Sequence, residues 1–185
     1  MWTFRFSWVL SILFASAAYG YFEPGHVRYY PYRSQERMPI ISIDLDPQHQ
    51  IDASFRGAAR EDRLQDMLTF LKQGADINSV SDRGRTALMF AARNCSVPIA
   101  RTLLRLHASV NPKDTEGDTA LVYATLESCL PIVKMLLKKS ELKLSRRDDS
   151  GKTVFDYATD CASLDVDGPS AQILELLQHR ENRYP

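Results

Sequence analysis

The feature that most constrains this chain is a self-similarity with a period of 33 to 34 residues. The tetrad Thr86-Ala87-Leu88-Met89 returns as Thr119-Ala120-Leu121-Val122 and again as Thr153-Val154-Phe155-Asp156, and a glycine lies two positions before each copy. A period of this length indicates stacked copies of one structural unit, each packed on its neighbours, rather than a single closed globule. Such an array favours a function based on a binding surface over one based on a reactive pocket.

Apolar residues within each unit follow the spacing of helices. Leu64, Met67, Leu68 and Leu71 lie at positions i, i+3, i+4 and i+7, which places them on one face of a helix. Gly74 then supplies the left-handed residue that often ends a helix. The same pattern recurs in the later copies, so we predict helix-turn-helix units at about 50–81, 82–114, 115–148 and 149–181.

These residues resemble the ankyrin repeat, whose first helix carries the signature T-P-L-H-x-A. The best stretch runs over 84–92 and departs mainly in Ala87 for proline and Met89 for histidine. The segments 74–78 and 132–137 are similar to the inter-repeat turn and the second-helix core of the family. The resemblance implies an all-α ankyrin-repeat solenoid of about four repeats over 49–181, and a protein-protein interaction module rather than an enzyme.

Departures from the repeat predict where the array is irregular. His107 and Ser140 replace the glycine between units, and a non-glycine residue held in the left-handed conformation there costs about 1 kcal/mol. Residues 162–170 form an insertion rich in Asp, Gly and Pro. We therefore expect the C-terminal half to be the less stable part.

The first 20 residues have the pattern of a secretory signal peptide, with Arg5 ahead of the apolar stretch 6–15 and small residues after it. An uncleaved membrane anchor is the alternative, but the apolar stretch is shorter than the roughly 20 residues that span a bilayer. We predict a periplasmic or secreted protein without membrane contact after cleavage. Residues 21–48, rich in Pro and Tyr, form an extended leader that is either a linker or a partner-binding arm.

The three cysteines fall within one position of each other on the repeat, and we place them in the turns between the two helices of consecutive units. Export would bring them into an oxidising compartment. Either Cys129 and Cys161, or Cys95 and Cys129, can then form a disulfide and leave one thiol free. Three buried free thiols are the alternative, because sequence does not give the Cα separation that a disulfide needs.

Charge and motif content disfavour several classes of function. The formal net charge is zero and no run of five like charges occurs, so nucleic acid is not an expected partner. No nucleophile, base and orienting group can be named together, so catalysis is not expected. We predict no cofactor and no metal site, and we interpret the paired loop acids Asp148-Asp149 and Asp165/Asp167 as solvated.

The resemblance also places the binding surface, because ankyrin repeats bind through their turn tips and the exposed side of each first helix. The mapped positions are Asp82, Arg83, Arg85, Phe90, Arg93 and Asn94 in the second unit, Thr115, Glu116, Asp118, Tyr123, Leu126 and Glu127 in the third, and Asp149, Ser150, Lys152, Tyr157 and Asp160 in the fourth. The tip of the second unit is basic and that of the third is acidic, which would orient a partner. The three aromatic residues form one column, for which packing between units is the alternative role.

Three functions follow from an exported binding module without catalytic residues. The first is an inhibitor or immunity-type partner of a co-exported enzyme such as a cell-wall hydrolase. The others are a secreted effector that binds a host protein and a periplasmic stress or scaffold protein. In each case the partner is a protein, and we expect the chain to be a monomer when free.

Overall fold

The computed structural model describes residues 46–165 and 168–183, so the predicted signal peptide and nearly all of the leader lie outside the described residues. Within the described residues the chain forms eight α-helices and no strand, which confirms the all-α prediction. The helices are α1 (Pro47–Arg60), α2 (Leu64–Lys72), α3 (Ala87–Arg93), α4 (Val97–Arg105), α5 (Ala120–Leu126), α6 (Leu130–Leu136), α7 (Val154–Leu164) and α8 (Pro169–Arg183). None of these helices is both long enough and apolar enough to cross a membrane.

The helices pack as pairs, and the pairs stack. Residues 51–185 form one compact unit. In it α3 contacts α4, α5 contacts α6 and α7 contacts α8, while α5 lies between α3 and α7, and α6 lies between α4 and α8. The first helices of the second to fourth units therefore make one layer and the second helices make another.

Threonine starts the first helix of three units. The side-chain oxygens of Thr86, Thr119 and Thr153 accept the backbone N–H groups of the third residue of their helices at 3.3, 3.4 and 3.4 Å. Each satisfies one of the amides that a helix N-terminus leaves without an intrahelical acceptor. The repeated threonine of the tetrad is thus the N-cap of the first helix in these three units.

The core consists of small residues between first helices and larger apolar residues between the layers. Ala58, Ala91, Ala124 and Ala158 recur at one repeat position, and all four are fully buried. Their small side chains allow the neighbouring helices to approach closely. The largest fully buried side chains come from every unit: Phe55, Met67, Leu88, Met89, Ile99, Leu103, Leu121, Ile132, Leu136, Ile173 and Leu177. The core is thus continuous along the stack.

The turn between the two helices of a unit has the same backbone conformation in three units. Asp62, Cys95 and Ser128 lie at equivalent positions and have φ values of 58°, 51° and 51°. The fourth unit lacks this turn because α7 continues to Leu164, past the position at which the first helices of the other units have ended. Cys161 lies inside α7, so the prediction that it lies in a turn is wrong.

A disulfide joins the inter-helix turns of the second and third units. Cys95 and Cys129 are bonded, with their Cα atoms 5.6 Å apart, and Cys161 is a free, half-buried thiol. Of the two pairings left open by the sequence, the structure contains Cys95–Cys129. The bond links residues 34 positions apart and thereby ties two neighbouring repeats directly to each other.

The chain leaves the second helices in two ways. After α2 and α4 it turns through a left-handed residue, Gly74 at φ 98° and His107 at φ 61°. The prediction of a left-handed residue is confirmed for His107 and wrong for Ser140, whose φ is not positive. After α6 the chain turns instead through a hydrogen bond from the Lys139 amide to the Leu136 carbonyl, 2.9 Å long.

A tip is the tight turn just before a first helix, and the three tips comprise residues 81–84, 114–117 and 148–151. Backbone hydrogen bonds join successive tips. The Thr115 amide donates to the Arg83 carbonyl at 3.0 Å, and the Asp149 amide donates to the Glu116 carbonyl at 3.1 Å. A Cβ on Gly117 would lie 2.7 Å from the Asp149 nitrogen. The glycine beside each contacting tip is therefore needed for close approach as well as for its positive φ.

We predict that Gly117→Ala destabilises the protein more than Gly151→Ala does. Both glycines have nearly the same φ, 83° and 82°, so both substitutions introduce the left-handed strain of about 1 kcal/mol. Only Gly117 meets backbone of the next unit, because nothing lies within 4 Å of a Cβ on Gly151. Urea unfolding should place Gly117→Ala below Gly151→Ala by at least about 1 kcal/mol. Equal stability of the two variants would show that the tips do not pack as described.

Candidate functional site: the tips and first-helix ends

The predicted binding residues divide into an exposed set and a buried set. The exposed residues are Asp82, Arg83, Arg93, Asn94, Thr115, Glu116, Leu126, Glu127, Asp149, Ser150, Lys152 and Asp160. Arg85, Phe90 and Tyr157 are half-buried, whereas Asp118 and Tyr123 are buried. Asp118 and Tyr123 therefore support the surface from beneath and do not line it, which corrects their predicted place on it.

A charged cluster lies under the tips of the second and third units. Arg85 Nε is 3.2 Å from Asp114 Oδ2, and Tyr123 Oη donates to the same oxygen at 2.6 Å. The Arg85 guanidinium also lies 5.4 Å from the centre of the Tyr123 ring, within cation–π distance. The Asp114 side chain is completely buried and that of Arg85 is 11% exposed, so this ion pair is shielded from solvent.

The cluster shifts the pKa values of its members. Burial opposes ionisation of Asp114, but hydrogen bonds from Tyr123, from the Glu116 and Asp118 amides and from Arg85 outweigh it and lower the pKa of Asp114 below its usual value. Burial and the bond to Asp114 raise the pKa of Tyr123. At neutral pH the aspartate is therefore charged and the phenol is a hydrogen-bond donor.

The next tip repeats part of this arrangement. Tyr157 Oη donates to Asp148 Oδ2, and this bond lowers the pKa of Asp148 to about 2 and raises that of Tyr157 to about 12. Lys152 Nζ lies 5.2 Å from the centre of the Tyr157 ring and 3.0 Å from Asp160 Oδ2. A cation over a tyrosine that donates to a tip aspartate thus occurs at two successive tips.

Sequence reasoning missed this pairing, although a signal for it was present. An aspartate precedes a tyrosine by nine positions in both units, Asp114 with Tyr123 and Asp148 with Tyr157. Ser81 and Phe90 occupy the equivalent positions at the tip that precedes α3, where neither the acid nor the phenol occurs. The two positions change together between units, and this joint change could have identified the contact.

The predicted charge polarity of the tips is reduced by contacts within the protein. Arg85 lies 3.6 Å from Glu116 as well as pairing with Asp114, so one basic residue of the second tip is paired with acids of the third. Arg83 and Arg93 remain exposed on the second unit, and Glu127 on the third. The charges available to a partner are therefore these outer residues.

Asp118 is the one buried carboxylate at the tips whose Oδ1 atom has no hydrogen-bond partner among the described residues. Burial raises the pKa of Asp118 to about 6, and the charges of Asp114, Asp148 and Glu116 act in the same direction. No group of three or more potential metal ligands occurs in the part of the chain that the structure describes. At neutral pH the Asp118 carboxylate is therefore an anion that burial and its acidic neighbours destabilise.

We predict that Asp118→Asn stabilises the protein at pH 7.5 and not at pH 4.5. A carboxyl whose pKa is about 6 when folded and about 4 when unfolded binds more protons in the folded state between these values. Its contribution to the free energy of unfolding therefore falls as pH rises from about 4 to about 6. Asparagine does not ionise, so the variant does not lose stability over this range. Urea unfolding should show a gain on the order of 1 kcal/mol at pH 7.5.

The exposed Asp149→Asn is the matched control for this measurement and should leave stability unchanged at both pH values. The pKa values of Asp114 and Asp148 are lowered rather than raised, so their effect on stability falls at lower pH and does not produce this difference between pH 4.5 and 7.5. A stability difference between wild type and Asp118→Asn that is the same at pH 4.5 and 7.5 would contradict the assignment.

Comparison with known proteins agrees with the observed architecture. The family profile described as ankyrin repeats (3 copies) matches residues 55–148, which is just over half of the chain and runs from α1 through the third unit. No curated protein matches the chain at a significant level. The matched residues include two of the threonine-capped first helices, α3 and α5, and the second helices α2, α4 and α6. This chain belongs to the ankyrin repeat family.

Proposed function

We propose that this protein is an exported, non-catalytic binding module that inhibits a co-exported enzyme, such as a cell-wall hydrolase, by covering its active site. Membership of the ankyrin repeat family indicates a protein-protein interaction module. The proposal adds a location, a partner class and an effect on that partner.

The observation that carries the proposal is a row of exposed side chains on tips that are hydrogen-bonded to each other. The tips are joined by backbone hydrogen bonds of 3.0 and 3.1 Å, and Arg85 of one tip is paired with Asp114 and Glu116 of the next. A surface already fixed in its binding conformation loses little conformational entropy when it meets a partner. Such a surface suits an inhibitor, which must remain on an enzyme long enough to exclude its substrate.

The exposed side chains favour a partner with both charges. Arg83 and Arg93 on the second unit are followed by Glu127 on the third, and Leu126 adds an apolar contact that is 42% exposed. Complementary charges on a partner would set its orientation and speed association. Four repeats give a short face that fits one site on a partner, and we propose that the free protein is a monomer.

Export is supported by the signal-like residues 1–20 and by the disulfide. Disulfides persist in oxidising compartments and are rare in the reducing cytosol. A bond between Cys95 and Cys129 would be retained in a periplasmic or secreted protein, and Cys95 is itself exposed to solvent. Subcellular fractionation tests this part: recovery of the oxidised protein from host cells would favour the effector alternative instead.

The partner prediction is tested by capture and by inhibition. Tagged protein should recover an exported enzyme from the native compartment, and the purified protein should inhibit that enzyme. The variant R83E/R93E should bind at least about tenfold more weakly, because it reverses the two exposed cations of the second unit's face. The matched control is R101E/R105E, which reverses two exposed arginines on α4 in the other helix layer and should bind like wild type.

Two results would contradict the proposal. Equal loss in R83E/R93E and R101E/R105E would show that the tips do not form the interface. Recovery of a partner whose activity is unaffected by saturating protein would show that the module does not inhibit.

A further inference from the structure

A basic recess lies on the side of the molecule formed by the second helices. It consists of two adjoining hollows of about 470 and 450 Å³ between α6, the segment 138–145 and α8. Lys138 and Arg180 line both hollows and join them into one recess. The tips and first-helix ends lie on the other side of the helix stack, so the recess is separate from the proposed partner-binding face.

The recess concentrates positive charge. Its lining contains Lys134, Lys138, Lys143, Arg180 and Arg183, with Glu181 as the acid among its lining residues. Within the described part of the chain, none of the three lysines has a carboxylate within ion-pair distance. At the tips, by contrast, Arg85 is paired with Asp114 and Glu116. The lining of the recess brings five cationic side chains together with one acid.

The floor of the recess is apolar. Leu137 and Leu176 line one hollow, and Leu142 and Leu144 line the other. Arg180 Nη2 donates to the Lys139 carbonyl at 3.0 Å and so connects α8 to the segment that follows α6. The walls are therefore held in place, and a ligand would meet leucines below and ammonium groups at the rim.

The recess could not be predicted from the sequence, because its cations are dispersed along the chain. The lysines come from α6 and the segment after it, and the arginines come from α8 about 40 residues later. No run of five like charges results, and the formal net charge of the whole chain is zero. Stacking the fourth unit on the third brings these residues together.

From this geometry we infer that the recess binds an acidic polypeptide segment that also carries apolar side chains. The lysines would pair with Asp or Glu, and the leucines would contact the apolar residues. Nucleic acid is less suited, since no Phe, Tyr or Trp is among the residues described around the hollows for bases to stack on. The chain's own residues 21–45 carry three acidic and three basic side chains, so they lack the complementary charge.

The test uses a short, labelled synthetic peptide of Asp and Glu with interspersed leucines, and a second peptide with Lys in place of the acids. Binding to the full chain is followed by fluorescence anisotropy at low and high salt. The acidic peptide should bind, the basic one should not, and salt should weaken binding because it screens the exposed lysines. K134Q/K138Q should lower the affinity by at least about tenfold.

The control variant is R101Q/R105Q, which removes the same number of charges at the same repeat positions of the preceding unit, outside the hollows. It should bind the acidic peptide like wild type. Equal weakening by both double variants would mean diffuse attraction and would overturn the recess as the site. Tighter binding of a single-stranded oligonucleotide or of anionic vesicles than of the acidic peptide would overturn the choice of ligand.

This inference stands apart from the proposed inhibitor function. R83E/R93E should leave binding of the acidic peptide unchanged, because its substitutions lie in the other helix layer. Failure of the enzyme-capture experiment would therefore not affect the recess. Failure of the peptide experiment would leave the tip face as proposed.

Discussion

Packing of each helix pair on its neighbours is the interaction on which the rest of the structure depends. The first helix of the third unit, α5, is buried between α3 and α7, and Leu121 and Ala124 within it are 2% and 0% exposed. One unit alone would expose these faces, since a helix pair cannot enclose an apolar core. The positions of the tips, of the disulfide and of the basic recess all follow from how closely successive pairs approach.

The repeated residues could be predicted from the sequence, and the differences between repeats could not. The capping threonines, the buried alanines and the left-handed His107 follow from local rules that hold at each copy. Ser140 and Cys161 departed from expectation because an altered helix exit and a longer α7 depend on packing in the last two units. The Arg85–Asp114–Tyr123 cluster spans two units, so a reading of one repeat at a time does not reveal it.

Charged side chains are paired to different extents on the two sides of the helix stack. Beneath the tips that precede α3 and α5, Arg85 is paired with Asp114 and Glu116, and backbone hydrogen bonds join successive tips. On the second-helix side, Lys134, Lys138 and Lys143 have no ion-pair partner among the described residues and surround an apolar floor. We propose that the first of these faces sets the orientation of a partner and that the second attracts an acidic segment.

Native-state hydrogen exchange on Leu121→Ala tests the central claim, the mutual dependence of the stacked units, most directly. Removing this buried side chain should destabilise the protein by about 2 to 5 kcal/mol. Because α5 supports both of its neighbours, protection should fall in α3 and α7 as well as in α5 and α6. Loss of protection confined to the third unit, with α3 and α7 unchanged, would contradict the account, since it would mean that the neighbouring units hold their structure without it.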